Sequence, residues 1–323
     1  MPWIEVGETD IYFQEEGAGQ PLVFLHGMSS CGEAWWQQFA HFRDRFRCIA
    51  YDSVNHGHSS NSPRDADEPD RADELEGFLA AMGIARPILA GNSMGGNTLT
   101  RWATRHPGDA LALIPSGAGV AGPGQPGALP PAQQPLSPDV LFLPIGDSLT
   151  DGFKQAQPRM FERYLRIRST ATRLEALRSP RKPSAKTLAE REGMAEAVTR
   201  ITSPMCVIVG ALDAAVPRCE TLHSRVAGSE YHAIPGAPHN VYYEAAEPYN
   251  AIVDAFLAKV MAPVAAGWRL ERRRKRPVGR FCHRLEAGTT TNASNDAPLP
   301  AVPVALCLGA LALITRPSMP GVK

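Results

Sequence analysis

The 323-residue chain is short of the features that mark whole classes of protein. It has no net charge, because 33 Lys and Arg balance 33 Asp and Glu. Nucleic-acid binders and membrane-surface proteins usually show a basic excess, so neither partner is expected. Cysteines are few: six, at positions 31, 48, 206, 219, 282 and 307, with no Cys-x-x-Cys pair and no zinc-type Cys/His spacing. They read as small buried thiols in a reducing compartment. The longest apolar run, residues 301–314, contains Pro303 and falls short of the roughly 20 residues that cross a bilayer. The stretch Trp3-Ile4-Glu5-Val6 alternates in polarity and lacks the basic and apolar regions of a secretory leader. A cytoplasmic enzyme without stable membrane insertion is the expectation.

What is present fits a folded globular protein, with 44% hydrophobic and 20% charged residues. A core of about 250 residues buries roughly three quarters of its unfolded surface, so it needs no disulfide or structural metal. The pattern predicts a hairpin over residues 3–16 and strands near 21–25, 47–51, 87–90 and 111–114. Several are apolar on consecutive residues, as in a parallel sheet covered on both faces. Between them the periodicity predicts helices over 34–42, 70–82 and 95–105. This alternation argues for a parallel sheet with helices on both faces.

From Ala118 the composition turns to Gly, Pro, Ala and Gln, and residues 139–198 are polar and helical by pattern, with one helix around Phe161–Arg168 and another over Leu188–Arg200. Strands resume at Met205–Val209 and Ser229–Ile234, and a helix over Pro248–Val260 completes the pattern. Residues 262–323 are rich in Ala, Pro and Thr, with a basic cluster from Arg269, and read as a disordered tail. Such a basic run can bind nucleic acid or anionic lipid; a solvated tail is the preferred reading.

The chemistry is carried first by Gly91-Asn92-Ser93-Met94-Gly95, which follows a short apolar strand and opens a helix. In that context Gly-x-Ser-x-Gly makes a tight turn that presents the serine at a helix N-terminus, where backbone N–H groups favour a developing anion. A serine hydroxyl needs a base in reach. His239 stands in a Gly/Pro-rich loop after a late strand, and Asp213 just past the strand before it. A carboxylate there could fix the imidazole tautomer and stabilise the imidazolium. The chain order Ser, Asp, His suits the same architecture.

Residues 3–260 resemble the α/β-hydrolase superfamily through His26-Gly27, Asp52-x-x-x-His56-Gly57-His58-x-Ser60, Gly91-Asn92-Ser93-Met94-Gly95-Gly96, Gly210-x-x-Asp213 and Gly236-x-x-His239. The resemblance implies the α/β-hydrolase fold: a mostly parallel sheet flanked by helices, with a mostly helical cap insertion. On that basis residues 1–118 and 200–260 form the core and 119–199 a mobile lid, with 261–323 as the tail. It implies Ser93 as nucleophile, His239 as base and Asp213 behind it, with the backbone N–H groups of Met28 and Met94 as oxyanion donors. It implies a carboxylesterase on small to medium acyl esters, with no cofactor and no metal.

Trp35 and Trp36 open a helix near the expected site and are candidates for the acyl pocket, although core packing is the preferred reading. His26, His56 and His58 read as loop-shaping residues. The elbow is also similar to that of the C–C bond hydrolases of meta-cleavage products. Those enzymes usually carry a glycine-rich stretch after His-Gly, whereas here Met28-Ser29-Ser30-Cys31 follows. Acyltransferase or perhydrolase activity is a further alternative on the same acyl-enzyme. The stretch Leu141–Gly152 resembles the nucleophile block of GDSL hydrolases, with Ser148 as its serine, but the other blocks of that family are missing; Ser148 reads as part of the lid, facing the substrate. A non-catalytic binding module on the same scaffold is the rival from another class.

Overall fold

The computed structural model describes residues 2–62, 67–122, 148–171 and 182–262. The basic cluster, Cys282, Cys307, the apolar run at 301–314, most of the Pro-rich boundary and the first seven residues of the GDSL-like stretch lie outside them. No helix among the described residues is long and apolar enough to cross a membrane.

Strand β1 (Trp3–Val6) pairs antiparallel with β2 (Thr9–Glu16), giving the expected hairpin. Next come β3 (Gln20–Leu25), α1 (Trp36–Phe42), β4 (Phe46–Tyr51), α2 (Arg71–Ala81), β5 (Ile88–Asn92), α3 (Met94–Arg105) and β6 (Ala112–Ser116). Helices α4 (Asp151–Ala156), α5 (Pro158–Ala171), α6 (Ala185–Glu192) and α7 (Met194–Ala197) follow. The chain closes with β7 (Cys206–Gly210), α8 (Val216–Arg225), β8 (Glu230–Ile234), α9 (Val241–Glu244) and α10 (Ala246–Met261). Among the described residues the strands form one eight-stranded sheet in the order β1-β2-β4-β3-β5-β6-β7-β8. From β4 to β8 every neighbour is parallel. The predicted α/β-hydrolase architecture is what the chain adopts.

The consecutive apolar runs have a simple cause. Side chains alternate across a strand, so each central strand feeds two cores. Leu22, Phe24, Ile88, Ala90, Ile114 and Ile208 face α1 and α10, meeting Phe39, Phe42, Val253 and Phe256. Val23, Leu25, Leu89, Leu113, Val207 and Val209 face the other way, toward Leu75, Phe78, Leu99 and Leu222. Each fully buried aliphatic side chain contributes about 1.5–3 kcal/mol.

Two predicted helices differ in detail. The first begins with a 3₁₀ turn, Gly32–Trp35, and becomes α-helical only at Trp36. The one expected over 188–200 is divided at Gly193 into α6, α7 and a 3₁₀ turn, Val198–Arg200. Helix α2 starts where its sequence says. Asp70 caps it, with its side chain accepting from Ala72 and Asp73 N–H groups.

The Asp70 carboxylate also does a second job. While Oδ1 takes those two cap bonds at 2.9 and 3.2 Å, Oδ2 takes Arg101 of α3 at 2.7 Å and Thr187 of α6 at 2.9 Å. Glu190 of α6 bonds both Arg101 and Arg105 at 2.6 Å. Burial works to raise the Asp70 pKa, but the Arg101 guanidinium, Thr187 and the Asp73 N–H overcome it and hold the carboxyl well below its usual range. Helices α2, α3 and α6 therefore share one charged anchor.

Candidate active site

The carboxyl ends of the parallel strands gather the predicted site. β5 ends at Asn92, and Ser93 makes the turn into α3 with φ 53° and ψ −112°. A left-handed serine is strained, and such strain persists only where the surroundings impose it. The imposition is visible. The Ser93 N–H donates to the Ser116 carbonyl at 2.8 Å, and its carbonyl accepts from Asn97 N–H at 2.9 Å. A Cβ on Gly95 would fall on the Leu25 carbonyl, so the helix passes too close to β3 for any larger residue.

Asp213 lies in the loop after β7, and His239 in the loop after β8. The two loops are laced together: Ala211 N–H donates to Ile234 at 2.9 Å and Leu212 N–H to Ala237 at 3.0 Å. The Asp213 carboxylate is buried and both of its oxygens are used. Oδ1 accepts the Ala215 N–H at 2.9 Å, and Oδ2 lies 2.7 Å from His239 Nδ1. With Nδ1 engaged, Nε2 is the ring nitrogen left for a reacting partner. Gly117, with φ +52°, passes so close that an added Cβ would stand 2.9 Å from Asp213 Oδ2 and 3.2 Å from His239 Nδ1.

Ser93 and His239 line two cavities, of about 710 and 240 Å³. The larger also holds Asp213, Ser148 and Arg218; the smaller holds Met28, Ser148, Tyr164 and Arg168. Ser148, set aside as a nucleophile, thus faces both spaces. Met28 follows Gly27, where a Cβ would lie 3.5 Å from Ser93 Cβ, so the loop after β3 stands beside the elbow. Met94 is the first residue of α3, and N–H groups of a first helical turn have no acceptor within the helix.

The tryptophans are placed elsewhere. Trp35 is fully buried in the core, stacked on Tyr242 at 4.1 Å and beside Phe24 at 5.1 Å. Trp36 lies under the Arg163 guanidinium, 4.0 Å from its ring centre. Neither lines either cavity. Core packing, the preferred reading for Trp35, accounts for its place: its large apolar surface is fully buried against aromatic neighbours.

The loop histidines behave as expected. Ser53 N–H donates to His26 Nε2 at 3.0 Å, so Nδ1 carries the proton and donates to the Gly27 carbonyl at 2.8 Å. Burial lowers the His26 pKa, with Asp52 opposing. Asp52 pins the neighbouring loops by accepting N–H bonds from Gly32 at 2.7 Å and His58 at 2.8 Å. His56 Nδ1 meets the Val54 carbonyl at 3.1 Å.

Metal ligation was not expected, and one group of side chains bears on it. Cys206, Glu230 and His232 bring ligand atoms within 4.8 Å of one another. They stand toward the opposite strand ends from Ser93, and Lys259 already bonds Glu230 at 2.9 and 3.1 Å.

Sequence reasoning missed Arg168 and Arg218. Helix α8, which carries Arg218, had a readable signal, since Pro217 sits in its first turn. Nothing in the spacing of Arg168 marks it off from the other arginines of its helix.

A parallel sheet with a strained serine at one strand end and a hydrogen-bonded Asp–His pair beside it defines a hydrolase scaffold of the α/β class. The chain belongs to the alpha/beta hydrolase family, whose model matches residues 22–255. It is 27% identical over 276 residues to a Paraburkholderia xenovorans protein named 2-hydroxy-6-oxononadienedioate/2-hydroxy-6-oxononatrienedioate hydrolase, covering 78% of this chain and 92% of that one. It is 29% identical over 159 residues to a non-heme haloperoxidase of Rhodococcus erythropolis, covering 48% of this chain and 54% of that protein. In structure it is similar to an esterase from Rhodococcus sp. ECU1013, with a TM-score of 0.64, 22% identity, and coverage of 80% of this chain and 98% of the other.

Proposed function

We propose that the protein is a serine carboxylic-ester hydrolase that works through an acyl-enzyme on small to medium acyl esters. One observation carries this reading: the 2.7 Å Asp213–His239 pair faces the same cavity as the left-handed Ser93. Ser93 Oγ attacks the ester carbonyl while His239 Nε2 takes its proton. Hydrogen bonds between a nucleophile and its base are often long in a substrate-free site and tighten in the complex. Asp213 accepts the Nδ1–H, fixes the tautomer and stabilises the imidazolium. The backbone N–H groups of Met28 and Met94 receive the oxyanion; each such donor contributes about 3 kcal/mol. The tetrahedral intermediate collapses, and His239 returns the proton to the departing alkoxide. Water, deprotonated by His239, then attacks the acyl-serine; as the second tetrahedral intermediate collapses and the acid leaves, His239 returns that proton to Ser93 Oγ. Residues 119–199 serve as a cover that sets substrate size, a role supported by Ser148, Tyr164 and Arg168 in the cavity walls.

A second reading, C–C bond hydrolysis on the same residues, is supported by the name of the Paraburkholderia relative. Perhydrolase chemistry would route the same acyl-enzyme to peroxide in place of water, and the haloperoxidase relative supports it in the same way. The test is a panel of p-nitrophenyl acyl esters of graded chain length, run beside a dienoate substrate and a fluorophosphonate label. The expected result is ester turnover and labelling at Ser93, both lost in Ser93→Ala. Turnover of the dienoate alone would favour the C–C reading. A folded protein that is neither labelled nor active would point to a binding module.

A further inference from the structure

Asn240 follows His239 directly and is buried. Its backbone is held on both sides. The N–H donates to the Ser148 carbonyl at 3.0 Å, and the carbonyl accepts from Tyr243 and Glu244 N–H groups at 3.0 and 3.1 Å. Its side chain reaches in two further directions. Oδ1 accepts from Asn92 Nδ2 at 3.1 Å, and Nδ2 donates to the Tyr164 hydroxyl at 2.6 Å.

Each partner matters by its place. Asn92 is the last residue of β5 and immediately precedes Ser93. Its Oδ1 is buried without a partner among the described residues, so the bond to Asn240 is what fixes the amide. That amide also lies beneath the loop after β3, since a Cβ on Gly27 would stand 3.6 Å from Asn92 Nδ2. Tyr164 sits on α5, is 1% exposed, and lines the smaller cavity. One amide therefore joins the residue beside the base, the residue beside the nucleophile and a helix of the 119–199 segment. Buried amides left without partners are costly, so the three groups hold one another in a single arrangement.

We propose that Asn240 is a positioning residue that locks the His239 loop to the Ser93 elbow through Asn92 and to α5 through the Tyr164 hydroxyl. The proposal deepens the serine-hydrolase reading and rests on it. Geometry of this kind is worth much in rate, because misplacing a reacting group by about 1 Å can cost about 100-fold.

The test compares the parent with Asn240→Ala, Asn92→Ala, the double variant and Tyr164→Phe. Fluorophosphonate labelling rate, kcat and KM for a p-nitrophenyl ester, and the melting temperature are measured for each. Asn240→Ala is expected to lower kcat and the labelling rate by about 10- to 100-fold, with KM within about twofold. Tyr164→Phe removes only a hydroxyl and is expected to lower kcat by about 3- to 10-fold. The double variant is expected to be no slower than Asn240→Ala, because both changes break the same link. Parental kcat in a folded Asn240→Ala, a loss confined to KM, or multiplying losses in the double variant would overturn the proposal. Should Asn240→Ala not fold, parental kcat in Tyr164→Phe overturns it alone. A parent that is neither labelled nor active defeats the hydrolase reading and this proposal with it. A labelled, active parent beside an unimpaired Asn240→Ala defeats only the proposal.

Discussion

Gly117→Ala is expected to damage activity far more than stability. The position has φ +52°, a region that costs an L-residue about 1–2 kcal/mol. For a chain of this size that strain lowers the melting temperature by about 2–8 °C. The added methyl does something more. Its carbon would stand 2.9 Å from Asp213 Oδ2, 3.2 Å from His239 Nδ1 and 3.3 Å from His239 Cε1. Comfortable separation begins near 3.5 Å, so the carboxylate must retreat by about half an ångström or the backbone must shift. Either movement disturbs the Asp213–His239 pair, which orients the base in the proposed mechanism. A displacement on that scale lowers kcat by about 10- to 100-fold. Gly83→Ala is the control, because Gly83 has φ +66° with nothing within 4 Å of an added Cβ. It should melt lower by a similar amount and keep parental turnover. The assay is p-nitrophenyl ester hydrolysis alongside a thermal melt. Parental kcat in Gly117→Ala, or an equal loss of kcat in Gly83→Ala, would refute the reasoning.

Asp213→Asn should fold normally yet lose about 10⁴-fold in kcat, because the amide favours the wrong imidazole tautomer; burst and steady-state kinetics with activated esters check this. Asp70→Asn should destabilise the protein by about 1–3 kcal/mol in urea melts near pH 7, with α3 and α6 losing their shared anchor. The Asp70 pKa is depressed on folding, so its contribution is complete above the unfolded carboxyl pKa of about 3.9 and fades as pH falls toward the folded value. The gap between parent and variant should therefore narrow in melts run progressively below about pH 4. Burial pushes the Cys48, Cys206 and Cys219 thiols up to about 12, so iodoacetamide at pH 8 should label them only after denaturation, as read by peptide mass spectrometry.

The parts of the molecule legible in its sequence are those with local or periodic causes. The apolar runs at β3, β5 and β7 announced strands covered on two faces, and both cores exist. Gly91-x-Ser93-x-Gly95 was readable because its turn needs those residue types within five positions. Asp213 and His239 were found through loop position and chain order, and the sheet brings them to 2.7 Å. What escaped was set by long-range contacts. The Asn92–Asn240 bond spans 148 residues and the Asn240–Tyr164 bond 76, and neither leaves any spacing to read. Trp35 and Trp36 stand at adjacent positions, but contacts far along the chain, Tyr242 for Trp35 and Arg163 for Trp36, accompany their different placements. The start of α2 was read to within one residue, at 70 rather than 71, whereas the second use of the Asp70 carboxylate depends on α3 and α6 arriving beside it.

That double use carries a lesson for anyone recombining this scaffold. Replacing residues 182–200 with the corresponding stretch of another hydrolase would remove Thr187 and Glu190, leaving Arg101 and Arg105 to share the α2 carboxylates Asp70 and Asp73 alone. A chimaera without an acid at 190 keeps α2 tied to α3 through Asp70 and Asp73 but loses the carboxylate that joins both arginines to the inserted segment, so its new stretch is held less firmly against the very helix that begins at the serine elbow.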